Sequence, residues 1–246
     1  MKLKKLAALL LCAAVMLPLA ACVKKPGGSE NSSGTSSSES TTVTPTKDKD
    51  TSIVATDKSR KGPAVQDLMK GITKGKGVSK KPDSRFENAA ASFALDLFRD
   101  EYKSGRKTLV SPLSVFTALA MTQNGAEDRT LSEMQKTLGG LDRDVLNAYM
   151  NAYLAELTGK DSALKCANSL WIDSRLDVKT SFLQKNADFY SAQAYKADFT
   201  RKNTVNEINS WANKNTNGMI KKLVDEFDPL TVMVLMNALC LEAEWD

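Results

Sequence analysis

The sequence predicts an α+β fold, with helices packed around a large mixed β-sheet, and three observations carry that expectation. Apolar residues recur at helical spacing through the segments that open the folded part. A continuous apolar run, TVMVLMNALCL from Thr231 to Leu241, follows the turn signal Asp228-Pro229. That run is too short to cross a bilayer, and a central strand covered on both faces accounts for it. Helices come first and long strands later, with no internal repeat.

Residues 1–21 read as a leader. Lys2, Lys4 and Lys5 form a basic start, an apolar run extends from Leu6 to Leu17, and Leu19-Ala20-Ala21-Cys22 supplies small residues at a cleavage point. The apolar run is too short for a membrane helix and is positively flanked on its N-terminal side alone. Leu-Ala-Ala-Cys is similar to the bacterial lipobox, in which a peptidase cuts before a cysteine whose thiol has been acylated. Cys22 is therefore the expected lipid attachment site, and the mature protein is expected outside the cytoplasm, anchored to the membrane or released. An ordinary cleaved signal with a chance cysteine is the competing reading.

Residues 22–82 are expected to form a flexible Ser/Thr/Lys-rich tether. From 23 to about 60 there is almost no large apolar side chain, too little to offset the entropy of ordering. Val65, Leu68, Met69 and Ile72 have i, i+3, i+4, i+7 spacing, which fits a short amphipathic turn docked on the domain. The Lys- and Gly-rich stretch from Gly71 to Pro82 is expected to be loose.

The ordered domain is expected over 83–246. Phe86, Ala89, Ala90, Phe93 and Leu97 line one face of a first helix that Gly105 stops. Thr108-Leu109-Val110 reads as a short strand. Ser111 and Pro112 open the next helix as N-cap and first helical residue, where proline's missing N–H costs nothing. That helix, 112–124, is apolar almost all round and is therefore expected to be buried. Helices at 129–138 and 142–158 are ended by Gly139-Gly140 and Gly159. A strand from Ala163 to Asp173, a helix at about 179–190 and a strand at 192–197 follow. A helix at 203–217 turns Val205, Ile208, Trp211 and Ala212 inward.

The formal charge of +5 falls to about +2 without the three leader lysines. A nearly balanced charge, with no basic patch interleaved with aromatics, argues against nucleic acid as a partner. Of four cysteines, Cys12 lies in the leader and Cys22 at the lipid site. Cys166 and Cys240 lie in apolar strand-like runs and read as buried free thiols, although export permits a disulfide. The chain has no histidine and no cysteine pair at metal-site spacing, so neither structural zinc nor a Ser-His-Asp arrangement is expected. With no Gly-rich phosphate loop or paired-carboxylate motif either, the expectation is a non-enzyme without cofactor.

Three segments stand out by their order and spacing. The first is Ser111-Pro112-Leu113-Ser114-Val115, then Ala118-Leu119-Ala120-Met121, Gly125-Ala126 and Thr130. The second is Ile208-Asn209-Ser210-Trp211 running to Thr216-Asn217-Gly218-Met219-Ile220. The third runs from Thr231 through Asn237-Ala238 to Trp245, and Asn168-Ser169-Leu170-Trp171 adds a weaker fourth. Jointly they resemble the serpin family over about residues 83–246, the first half of that family's domain. Lys107 stands where the family usually has asparagine, Met219 where it usually has lysine, and Glu242-Ala243-Glu244 replaces a Lys-Gly-Lys-like pattern.

The resemblance implies a serpin-like α+β fold, truncated before the C-terminal strands and the reactive loop. In serpins the cleaved loop inserts into the main sheet as a new strand and distorts the trapped protease. The implied function is an extracytoplasmic inhibitor of serine or cysteine proteases, here a fragment lacking the loop. Its implied partners are those proteases and, through the acylated N-terminus, a lipid membrane. A non-inhibitory surface-binding lipoprotein on the same scaffold is the alternative. The resemblance assigns the last strand to the edge that opens, Ser111, Ser114 and Asn237 to a polar cluster beneath the opening, and Trp245 to the place where the loop first inserts. Pro112, Gly125, Thr130, Asn209, Trp211, Gly218 and Thr231 are structural residues of the matched motifs. Taken alone, Asn237 is a buried amide that must find partners or cost about 1–3 kcal/mol. An ordinary satisfied core asparagine is the competing reading.

Overall fold

The structure, a computed structural model, describes residues 10–18, 63–160, 162–228 and 230–242. Its elements in chain order are β1 (Leu10–Pro18), β2 (Val65–Asp67), α1 (Ser84–Glu101), α2 (Pro112–Gln123), α3 (Asp128–Thr137), α4 (Arg143–Leu157), β3 (Leu164–Asp173), α5 (Thr180–Tyr190), β4 (Gln193–Ala197), α6 (Lys202–Asn215) and β5 (Thr231–Leu241). The five strands form one mixed sheet in the order β1-β5-β3-β4-β2. β3 and β4 run parallel, joined by α5, and the other pairs are antiparallel.

Strand periodicity gives each face of this sheet its own core. On one face Leu170, Ile172 and Leu235 pack with Phe86, Phe93, Phe116, Met121, Tyr149, Met150 and Tyr190 from α1, α2, α4 and α5. On the other, Trp171, Val234, Met236 and Ala238 pack with Ile208, Trp211 and Ala212 of α6. Side chains two apart in a strand share a face, so the unbroken apolar run of β5 is what a strand covered on both sides requires. α2 lies against β5 and is buried around most of its girth, as its lack of a polar face demands.

α1 begins at Asp83, whose carboxylate accepts the main-chain N–H groups of Arg85 (3.0 Å) and Phe86 (3.5 Å). The hydroxyl of Tyr149 on α4 donates to the same carboxylate. That bond, with those from Arg85 and against desolvation, holds the Asp83 carboxyl well below the usual range. A single side chain thus caps one helix and ties it to another.

Three expectations need correction. Thr108–Val110 forms no strand and Leu109 is exposed, because no described strand lies beside it to complete a ladder. Residues 65–67 form a strand on β4 rather than a helical turn, since an open sheet edge outweighs the local period. Leu68, Met69 and Ile72 nonetheless pack on the main core.

The third correction concerns the tether of residues 22–82, which does not extend to 82. Gly75 N–H donates to Asp188 (2.6 Å), Gln184 donates to the Thr73 carbonyl (2.8 Å) and Lys80 N–H donates to the Ala148 carbonyl (3.0 Å). Main-chain groups that find partners on α4 and α5 hold a Lys/Gly-rich segment that its composition alone would leave loose. Residues 22–62 lie outside the described residues.

Leu10–Pro18, within the residues read as a leader, pairs along nearly all of β5, from Leu10 opposite Cys240 to Pro18 opposite Thr231. Cys166 and Cys240 are free thiols. Cys166 stands opposite Leu239, so Cys240, the next residue along, points to the other face of the sheet.

Candidate functional site

The polar residues beneath β5 fall into two groups. Ser114 and Asn237 are fully buried. Ser111 occupies the N-cap of α2, but its side chain does not cap the helix. Its hydroxyl instead donates to Ser114 Oγ at 2.9 Å. Asn237 does not join that pair. It stands directly opposite Asn168 in the β3–β5 register, and its Nδ2 donates to Asn168 Oδ1 at 2.7 Å and to Cys166 Sγ at 3.2 Å. The expected single cluster of Ser111, Ser114 and Asn237 is thus a serine pair on α2 and an asparagine pair between strands, with no hydrogen bond between them among the described residues. An amide directly opposite at the same register position is reached more readily than a hydroxyl from the layer below.

The asparagine pair opens a longer polar layer that the sequence did not disclose. Asn168 Nδ2 donates to the Tyr190 carbonyl (2.8 Å), and the Tyr190 hydroxyl donates to Asn147 Oδ1 (2.7 Å). Asn147 donates to Asn124 Oδ1 (2.8 Å), Asn124 to Asn186 Oδ1 (3.3 Å), and Asn186 to the Phe182 carbonyl (3.0 Å). All of these side chains are buried. Burial raises the Tyr190 phenol, so it stays protonated and able to donate. Burial likewise raises the Cys166 thiol, which stays neutral and unreactive.

This layer joins β5, β3, α5, α4 and the C-cap of α2 beneath the sheet, and each link fixes the register of one element on the next. One acceptor is left over. Asn237 Oδ1 is buried without a partner among the described residues, at the middle of the strand that separates β1 from β3. A cavity of about 110 Å³ adjoins the layer, lined by Cys166, Asn168 and Tyr190 together with Lys74 of the pinned segment.

The motif residues have local roles. Pro112 is the first residue of α2. Gly125 leaves room for the Phe182 ring, which a Cβ would approach to 3.2 Å. Thr130 is exposed beside a shallow depression on α3. Asn209 clamps the loop after α6, donating to the Val224 carbonyl (2.8 Å) and accepting the N–H groups of Leu223 (2.7 Å) and Val224 (3.0 Å). Trp211 donates its indole N–H to Gln193 of β4 (2.6 Å). Gly218 N–H closes α6 on the Asn213 carbonyl (2.8 Å), and Thr231 N–H donates to the Asp228 carbonyl (2.8 Å) at the start of β5. Among the departures, Glu242 accepts from Asn217 at 2.6 Å and so ties the end of β5 to the end of α6. Cys22 and Trp245 lie outside the described residues.

Comparison with known proteins sets this arrangement in a family. A family model described as Serpin (serine protease inhibitor) matches residues 88–246. An uncharacterised serpin-like protein from Thermococcus kodakarensis is 32% identical over 164 residues, covering 64% of this chain and 38% of the relative. The thermophilic serpin tengpin in its latent state is 39% identical with a TM-score of 0.64, covering 68% of this chain and 46% of tengpin. A loop C-sheet serpin polymer is 38% identical with a TM-score of 0.67, covering 71% of this chain and 47% of that one. The chain thus spans less than half the length of these relatives. A buried α2 beneath β5, the asparagine clamp after α6 and the family model across residues 88–246 agree, and the chain belongs to the serpin family.

Proposed function

We propose that this chain supplies the sheet-opening half of an inhibitor of serine or cysteine proteases, displayed outside the cytoplasm by a lipid on Cys22. The observation that carries the reading is the state of β5. It is a strand buried on both faces, it pairs with β3 on one edge, and it takes up a further antiparallel strand on the other. A sheet able to add a strand at that edge is what inhibition by loop insertion needs, because the new ladder and the newly covered apolar surface drive the change of shape. The asparagine pair beneath it, with one acceptor unsatisfied, leaves the centre of β5 less firmly held than its apolar ends.

The test joins residues 83–246 to the C-terminal half of tengpin and challenges the chimera with chymotrypsin, subtilisin and papain. An adduct of one chimera with one protease that survives detergent and heat is expected. Cleavage of the chimera with no such adduct from any of the three would replace inhibition by the non-inhibitory, surface-binding reading. The anchor is tested separately in a bacterial host fed labelled palmitate. Label is expected in the wild-type protein and absent from Cys22→Ala, and equal label in both would overturn lipidation at Cys22.

A further inference from the structure

We propose that the lysine-rich segment 70–81 is a docking surface for the phosphate headgroups of an anionic lipid bilayer, held in a fixed course on α4 and α5. The choice of a membrane as the occupant rests on the reading of Cys22 as a lipid site. The charge of the chain is nearly balanced overall but is not evenly spread. Between Asp67 and Asp83 stand Lys70, Lys74, Lys76, Lys80 and Lys81, with no acidic residue among them. Lys70, Lys74, Lys76 and Lys81 are exposed, and among the described residues none of the four has a carboxylate within ion-pair distance. Lys80 is half-buried, 3.6 Å from the Asp83 carboxylate and over the Tyr149 ring. The two carboxylates that bond to the segment are engaged by other groups as well. Asp188 accepts from Gln184, and Asp83 accepts from Arg85 and Tyr149.

A run of ammonium groups repels itself and spreads when it is loose. Here the backbone is pinned, by Gly75 N–H on Asp188 (2.6 Å), by the Gly77 carbonyl accepting from Asn151 (3.3 Å) and by Lys80 N–H on the Ala148 carbonyl (3.0 Å). Gly77 crosses the Phe189 ring so closely that a Cβ would come to 3.0 Å from it. The segment is thus ordered by the fold and not at the moment of binding. Lysine suits a headgroup layer, because a compact charge on a long stem meets phosphates without a fixed geometry. Val78, 72% exposed in the middle of the run, adds an apolar side chain able to enter the boundary of the acyl layer. Each lysine brought to an anionic surface adds to the attraction, which falls off within roughly 10 Å in salt. Residues 23–62, read as a tether, would keep the segment within about 35 Å of a lipid on Cys22. Docking is then an encounter within one anchored molecule.

Amine acetylation read by mass spectrometry tests the surface on the full chain, free and on vesicles with or without phosphatidylglycerol. The chain reaches a vesicle through its apolar leader or its lipid in either case, so the reading is taken lysine by lysine. Lys70, Lys76 and Lys81 are expected to label readily in the free protein and about tenfold more slowly on phosphatidylglycerol vesicles. Vesicles of phosphatidylcholine alone are expected to leave them unchanged, and Lys103, Lys107 and Lys160 to label alike throughout. In a variant carrying Lys70→Gln and Lys81→Gln, the slowing at Lys76 is expected to fall to about twofold. Slow labelling of the three lysines in the free protein overturns the proposal, since another part of the protein would then cover the segment. Equal slowing of all six lysines, or equal slowing on neutral vesicles, overturns it as well. Slowing by soluble polyphosphate with none on vesicles would replace the membrane by a polyanion. Failure of the Cys22 reading shows independently in the palmitate experiment, because the leader still brings the unacylated chain to the vesicle.

Discussion

Replacing Asn168 by leucine is expected to destabilise the domain by about 3–4 kcal/mol, whereas the same change at Asn237 is expected to cost no more than about 1–2 kcal/mol. The two asparagines face each other in the sheet, yet their hydrogen-bond accounts differ. Asn168 receives from Asn237 and gives to the Tyr190 carbonyl. Leucine at 168 leaves that carbonyl and the Asn237 amide buried beside an apolar group, each at about 1–3 kcal/mol. Leucine at 237 strands the Asn168 oxygen but also removes Asn237 Oδ1, an acceptor already without a partner. The urea midpoints of the two variants decide the matter. Equal losses would mean that the two amides are satisfied alike, against the geometry described above.

Gly139→Ala is expected to be the more disruptive of two neighbouring glycine substitutions by a wide margin. Gly139 has a φ of +87°, and a Cβ there would lie 2.3 Å from Ala89 Cβ and 2.7 Å from Ala89 Cα on α1. The second of these atoms is backbone and cannot swing aside, so the turn after α3 must lift away from α1. Left-handed strain and the collision together are expected to cost about 3–5 kcal/mol. Gly140 has a φ of +75° and open space where its Cβ would be, so Gly140→Ala should cost strain alone, about 1–2 kcal/mol. Thermal melts of the pair check this. Similar midpoints for the two variants would show that α1 and the α3 turn are not in the contact described.

Much of the fold was legible because its signals are local. The buried helix α2 announces itself by having no polar face, and β5 by an apolar run of strand length that follows Asp228-Pro229. The motif around Asn209 and Trp211 also reads directly, since each of its bonds ties α6 to a segment close by in the chain or in the sheet. Other features depend on distant partners. Lys74 to Lys80 has the composition of a loose linker, and partners supplied by α4, α5 and Ser191 give it a fixed course.

The polar layer escaped notice for the same reason. Asn124 and Asn186 are 62 residues apart, and an asparagine on a helix is ordinarily a solvated one. A usable sign was present. Asn186 follows Phe182 by four residues and precedes Tyr190 by four, on the inward face of α5, and Asn147 lies between the buried Leu146 and Met150 of α4. A polar residue on an apolar stripe must have a partner inside.

The placement of the two sulfurs has a consequence for the protein in an oxidising compartment. With Cys166 beneath the sheet on the α4–α5 side and Cys240 on the side of α6, a bridge between them would require one strand to turn over. Air or an oxidase therefore cannot rivet these strands together through that pair, and the layer stays free to part. Each sulfur can instead serve as a separate reporter, so that alkylation of one and not the other tells which side has come open.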